Sequence, residues 1–579
     1  MRFDPSPSSE FPKRTKPVLP DDLDTLKPGD PVQSWEPWFV WDEECESNEA
    51  RNEWRQEGDP LCDAALREMF PSSLNVHGID LLDELQARAA QVKKDGIIDD
   101  PLNAFLDSVT NEPPEDIRAT TDEIELAQKC FASNVLPIML SLLYFSLAGG
   151  FASPRISRVL RSTSYLIPGK GSPSFSEQDG KDRTVSRLLE TTQFVIDVMG
   201  FSVIPTHVSE MMQSSSAIGK ENSLADGLKT VLKVDRAKEN WHGAGCLTVG
   251  KGEGWKSALR VRLLHGIARR RILEKFDNPR GRGPGSNHKD SNEATAATPL
   301  YYDSSTDGAP LNQEDFAHTL AAFSMAPLIC IPKLGYPTIT AAEASATTAL
   351  WRHVGFYLGV REDILRKHWR SWERCEKFGL TCGLMLVLEL GEAAKLEKEW
   401  GVKGVEAPTA AILASITGVM GFDTPLSDRL AICRYLLGSR LASLLHLPPT
   451  PLYTTFRIHL SFIASALPAY FGVVYTWLLP SLGRAWTEKH GRLMATGVAR
   501  MTRWKLGMRR TAFRPRMLEG GLEDSVKREE EVDADKTGRE LFMMEWKALW
   551  KELIRVSVGV TMVVAVIGLA LGWSLWRRG

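Results

Sequence analysis

The sequence predicts an all-α protein closed by a C-terminal membrane-spanning helix, and three observations carry that expectation. From about residue 78 onward apolar residues recur at helical spacing, while strand-type alternation is rare. Helix-opening signals stand where such runs begin. Thr340 and Glu343 form a Thr-x-x-Glu capping box at the head of AAEASATTALWRHVGFYLGV, and Asn312 precedes QEDFAHTLAAFS, with Glu314 and Asp315 in its first turn. Lastly, Val556 to Trp576 carries no charge and is followed by Arg577 and Arg578. About 20 apolar residues suffice to cross a bilayer as a helix. Trp573 and Trp576 lie where interfacial aromatics are favoured, so the segment reads as a tail anchor.

With 579 residues, 43% hydrophobic and 25% charged, the chain has ample material for a buried core. Residues 1–77 begin Pro-rich and acidic, with Trp35, Trp38 and Trp41 grouped together, and read as a loosely structured arm. A helical domain is expected over 78–450, interrupted by surface loops at 166–182 and 278–311, both rich in Gly, Pro, Ser and Asp. Within it the uncharged run Cys130–Pro154, broken by Pro137 and a Gly149-Gly150 pair, reads as core. The apolar segment 451–483, with Pro468 and Pro480, fits core and membrane equally well. Residues 484–554 are basic, then acidic. The ten cations between Arg484 and Arg516 suit either anionic lipid headgroups or a solvated helix face. The transmembrane segment 556–576 closes the chain.

Several function classes lose support. A net charge of −3 gives no basis for nucleic-acid binding. The eight cysteines are scattered with no C-x-x-C pair, which argues against zinc and against a disulfide framework. Together with the lack of an Asn-x-Ser/Thr sequon, this favours a bulk facing the reducing cytosol. There is no Gly-x-Gly-x-x-Gly before a helix, no P-loop, no His-Glu-x-x-His and no Gly-x-Ser-x-Gly.

Two helices could carry chemistry. In RTVSRLLETTQFVIDVMGF, Arg187, Thr191, Phe194 and Val198 share a face with Glu190 beside them, placing one cation and one hydroxyl on an apolar surface. Such a surface suits a greasy ligand with a few polar handles, and equally an ordinary amphipathic helix. In WKSALRVRLLHGIARRRILEKF, His265 shares a face with Ala258, Val261, Ala268 and Ile272. Small neighbours leave room for a flat macrocycle, and a neutral imidazole suits haem iron; a core histidine bonded to a backbone carbonyl has the same spacing. His318 and His353, on apolar helices, read as core residues.

RLLETTQFV at 187–195 and RVRLLHGIAR at 260–269 resemble the two signature helices of the rubber oxygenase (latex-clearing protein) and MpaB-type ER-bound oxygenase family. The resemblance continues in order through 141–166, 310–324 and 350–363, covering about 120–370. It implies an all-α haem-binding oxygenase domain around haem b, with His265 as the iron's protein ligand and Arg187 and Thr191 in the haem pocket. A lysine of the rubber-cleaving enzymes falls on Glu190 here, which offers an acid or base instead. The expected activity is an O2-dependent oxidation of a lipophilic, isoprenoid-like substrate by cleavage of a C=C bond, at a membrane such as the endoplasmic reticulum. The alternative is a membrane-tethered haem- or lipid-binding protein, or a scaffold, without turnover.

Overall fold

The computed structural model describes residues 23–97, 100–150, 153–163, 177–201, 243–274, 302–400, 408–416, 424–506 and 513–516, with isolated positions beyond. Strands among them are confined to Pro31–Gln33 (β1) and Trp38–Val40 (β2), paired antiparallel with Val32 opposite Phe39. The remaining regular structure is helical, as the periodicity predicts. Its first half comprises α1 (Asn48–Gln56), α2 (Pro60–Met69), α3 (Leu81–Lys94), α4 (Pro101–Val109), α5 (Thr121–Ser133), α6 (Val135–Ser141), α7 (Pro154–Thr163), α8 (Glu177–Val198) and α9 (Glu253–Ile272). The second half comprises α10 (Gln313–Ser324), α11 (Ala326–Lys333), α12 (Ala341–Tyr357), α13 (Glu362–His368), α14 (Trp372–Trp400), α15 (Pro408–Ser415), α16 (Leu426–Leu444), α17 (Leu452–Leu478) and α18 (Pro480–Lys505).

Helix starts follow the capping chemistry. The Thr340–Glu343 box of α12 is formed in both directions, and Asn312 makes the equivalent reciprocal pair with Asp315 at the head of α10. Residues 31–77 depart from the loose arm expected of them: Trp35, Trp54 and Met69 are buried in the main core. The acids and prolines that suggested an arm start helices instead. Asp59 caps α2 and Pro60 is its first residue, where a missing N–H breaks no helical bond.

The expected loops are shorter than drawn. Residues 278–301 of the 278–311 loop lie outside the described residues, but Tyr302 and Asp307 are buried, and Arg158 donates to Asp307 at 2.9 Å. Of 166–182, residues 166–176 lie outside the described residues, while 177–182 already belong to α8. The 130–154 run is core through Ile138, Met139, Tyr144 and Ala148; the chain bends by 85° between α5 and α6, then passes through a π-helical stretch at Leu142–Leu147. The expected membrane span 556–576 lies outside the described residues, apart from Val558 and Met562, both helical and exposed.

The arginines of α9 fix that helix in place. Arg262 forms a bidentate pair with Asp59 at 2.6 and 2.9 Å, Arg269 pairs with Asp63 at 2.5 Å, and Arg260 pairs with Asp80 at 2.8 Å. Arg270 donates to the carbonyls of Leu66 and Phe70 near the end of α2, and Arg271 to that of Ser73. Gly266 lets α2 approach: a Cβ there would stand 2.5 Å from Leu66 Cδ1 and 2.9 Å from Cys62 Sγ. The helix is thus pinned from behind, and its other face is left for the cavity.

Candidate functional site

That face borders a cavity of about 510 Å³, walled by α6 with the π-helical stretch, α7, α8, α9, α10, α14, α16 and α18, with Phe513 on the same wall. Its size falls in the range of about 300–1,000 Å³ typical of ligand pockets. The lining is mainly aliphatic and aromatic, including Leu143, Val195, Leu264, Phe316, Leu386 and Met501.

His265 stands on this wall, with Val261, Leu264 and Ala268. Ala258 and Ile272, expected on the same open face, are packed in the core instead. The imidazole stacks on Phe316 at 5.6 Å between centroids, with 24° between planes. Protein encloses it, so the ring's residual accessibility opens to the cavity. Burial, with the charge of Arg269 beside it and Asp59 opposing, pushes its pKa down to about 4. At neutral pH the ring is uncharged. Among the described residues it makes no hydrogen bond, and its buried Nδ1 is unpartnered.

On α8, Arg187, Glu190, Thr191, Phe194 and Val195 all line the cavity, whereas Val198 is buried in the core. The sequence-expected residues therefore do meet His265 around one space. Glu190 has both carboxylate oxygens engaged: Oε2 pairs with Arg187, and Oε1 accepts from Arg516 at 2.9 Å. The Thr191 hydroxyl donates to the Arg187 carbonyl at 3.1 Å, a back-bond common for threonine in helices.

Three polar groups on or behind the wall had no clear signal in the sequence. His318 and Asp315 line the cavity from α10, and Glu314 lies fully buried behind them. Glu314 accepts from Arg55 and Arg155, each at 2.6 Å, and from Arg51 at 3.2 Å. Burial works to raise its pKa, but these cations, Arg155 foremost, hold it well below the usual carboxylate range. Asp315, 3.2 Å from Arg155, is shifted upward by its own burial. His318 Nε2 lies 3.2 Å from Arg51 Nη1. A guanidinium can only donate, so Nε2 accepts and Nδ1 carries the proton. Burial, with Arg51, Arg155 and Arg55 around it and Glu314 opposing, pushes the His318 pKa down to about 3. His318 is thus a neutral imidazole of fixed tautomer whose Nδ1 has no partner. His353 is the core residue expected, with Nδ1 accepting from the Ala119 N–H at 3.3 Å.

These residues fit a haem. Among the described residues no group of three His, Cys, Asp or Glu could hold a bare ion. A single neutral histidine with no hydrogen-bond partner, on an apolar wall, suits a metal that brings its own macrocycle.

An all-α architecture around a largely apolar cavity, lined among the described residues by one imidazole that makes no hydrogen bond, defines a class of helical pocket proteins. Comparison narrows it. Residues 222–504 match the family model described as "ER-bound oxygenase mpaB/B'/Rubber oxygenase, catalytic domain". Over that span, just under half of its length, the chain matches the oxygenase family its motifs resemble. The span includes His265 and the 310–324 and 350–363 stretches, runs past 370 to the end of α18, and begins after the Arg187–Thr191 helix. No curated protein matches the chain. A solved structure of latex clearing protein in its closed state aligns at 14% identity over 75% of this chain and 90% of its own, with a TM-score of 0.40.

Proposed function

We propose that the protein is a haem b-dependent oxygenase that oxidises a lipophilic, isoprenoid-like substrate, adding O2 across a C=C bond to give two carbonyl products. The observation that carries this is His265, neutral and without a hydrogen-bond partner on the wall of a largely apolar cavity. His265 is the residue that would hold the iron, and the haem would supply the binding and activation of O2. The protein's contribution is the space around it. The aliphatic and aromatic lining excludes water and receives an apolar chain, while Arg187 and Thr191 order one side. Glu190 anchors Arg187 through one oxygen and holds Arg516 through the other. On the α10 side His318 offers a neutral N–H donor, held in one tautomer by Arg51.

Cleavage of C=C by O2 balances without a reductant, since both oxygen atoms end in the two carbonyl products. Membrane residence, through a tail anchor at 556–576 and at the endoplasmic reticulum, belongs to the same proposal. The test is turnover of a polyisoprenoid under 18O2 by the haem-loaded full chain. Two carbonyl products, each carrying one 18O, are expected. A hydroxylated product of unbroken length would replace cleavage with another oxidation. Bound haem with no oxygen-dependent product would make the protein a carrier or scaffold.

A further inference from the structure

Helix α17 presents a surface that the oxygenase reading does not use. Twelve large apolar side chains on this one helix are exposed, among them Leu452 (88%), Phe456 (67%), Ile463 (60%), Phe471 (49%), Val474 (48%) and Trp477 (81%). At 100° per residue the twelve occupy a single arc of about 160° along its 27 residues. A soluble monomer rarely exposes a contiguous apolar patch above a few hundred Å². The other side, through Thr454, Ile458, Phe462 and Gly472, is buried against the rest of the protein. The helix is therefore apolar on both sides, and one of them lacks a protein partner among the described residues.

We infer that this face of α17 lies in the plane of a lipid bilayer, seated at the headgroup–acyl boundary, rather than crossing it. Crossing conflicts with α18, which returns antiparallel along α17: Gly472 meets Trp486 and Thr487, and Trp486 Nε1 donates to the Pro468 carbonyl at 3.4 Å. A spanning α17 would carry the exposed Arg484, Glu488 and Lys489 of its partner into hydrocarbon. Each such charge costs about 2.5–3.5 kcal/mol at mid-bilayer on insertion scales. An in-plane seat keeps them in water. Charge also favours lipid over a second copy of the chain, because α18 carries six cations against one carboxylate, a balance that attracts anionic headgroups and repels its like. Tyr453, Tyr470 and Trp477 on the stripe suit the interface, where an aromatic body sits apolar with its polar tip wet. α18 also carries Val498, Met501 and Thr502 to the cavity wall, so the lipid-facing hairpin abuts the site. The inference stands on α17 and α18 alone and needs neither haem nor the tail anchor.

The test uses the full chain with a fluorophore on Ile463→Cys, Phe471→Cys or, as a control on α3, Lys94→Cys, with identically treated native protein as the blank. All three positions are exposed, so the substitutions leave packing intact. Vesicles of phosphatidylcholine and phosphatidylserine carry bromine at shallow or at mid-bilayer acyl positions. The expected result is loss of most fluorescence at 463 and 471 with shallow bromines, less with deep ones, and little change at 94. Equal or stronger quenching by deep bromines would show a span and overturn the in-plane seat. Unquenched labels on bound or unbound protein would refute lipid contact, and cross-linking of 463 between copies would then assign the face to a dimer.

Discussion

His265, His318 and His353 share one physical condition: burial has taken each below its ordinary pKa, to about 4, 3 and 4. The unfolded chain would protonate all three near pH 6.5, while the native state holds them neutral. Between about pH 6.5 and pH 4 the unfolded state therefore binds more protons. The stability these groups contribute is complete above about pH 6.5 and is lost as pH falls toward about 4. Glu376, raised to about 7 by its burial and by Glu373, works the other way over part of that window, as do Asp63 and Asp315, while His368 and His490, also lowered by burial, add to the effect of the three histidines. Urea unfolding should accordingly show a falling midpoint from pH 7 to pH 4; a midpoint that rises would mean the imidazoles are charged in the fold. At this scale the site was half legible. His265, Arg187, Glu190 and Thr191 could be picked out because each sits in a short motif and all reach the same cavity. His318 could not, because what distinguishes it, Arg51 and the cations around Glu314, lies more than 150 residues away in sequence.

Among the elements, α9 holds the candidate ligand, and what steadies it is less visible in sequence than the histidine itself. Its run of arginines reads as a basic patch, yet Arg260, Arg262 and Arg269 form ion pairs with acids on or flanking α2 and α3, and Arg270 and Arg271 cap backbone carbonyls. Gly266, next to the histidine, reads as a mild weakness in a helix, and its purpose appears only when α2 lies against it. Gly266→Ala should overpack that contact, lowering stability by about 1–3 kcal/mol in chemical denaturation despite alanine's better helix propensity. A stabilised variant would show that α2 and α9 are not so closely apposed. The capping boxes at Thr340 and Asn312 were legible because they are local, needing residues only three apart.

For the molecule as a whole, helical class was readable from periodicity, but the extent of the folded unit was not. The expected start at 78 cuts away Trp35, Trp54 and α2, which help form the main core, because composition reports proline and acid content rather than where the chain packs. The cavity likewise draws walls from α16 and α18, beyond the 370 limit of the sequence resemblance, since a wall needs an apolar face in the right place and no motif. The fold thus gathers distant helices around a cavity in which His265 is the imidazole without a hydrogen bond. The most direct test of His265 as the iron ligand is the visible absorption spectrum of the full chain, produced with haem precursor, beside that of His265→Ala. A Soret band in the parent that is lost or strongly shifted in the variant is the predicted result, with unchanged far-ultraviolet circular dichroism showing that both are folded. An unaltered Soret band in the variant would contradict His265 as the iron ligand, and a folded parent with no band at all would contradict the haem site.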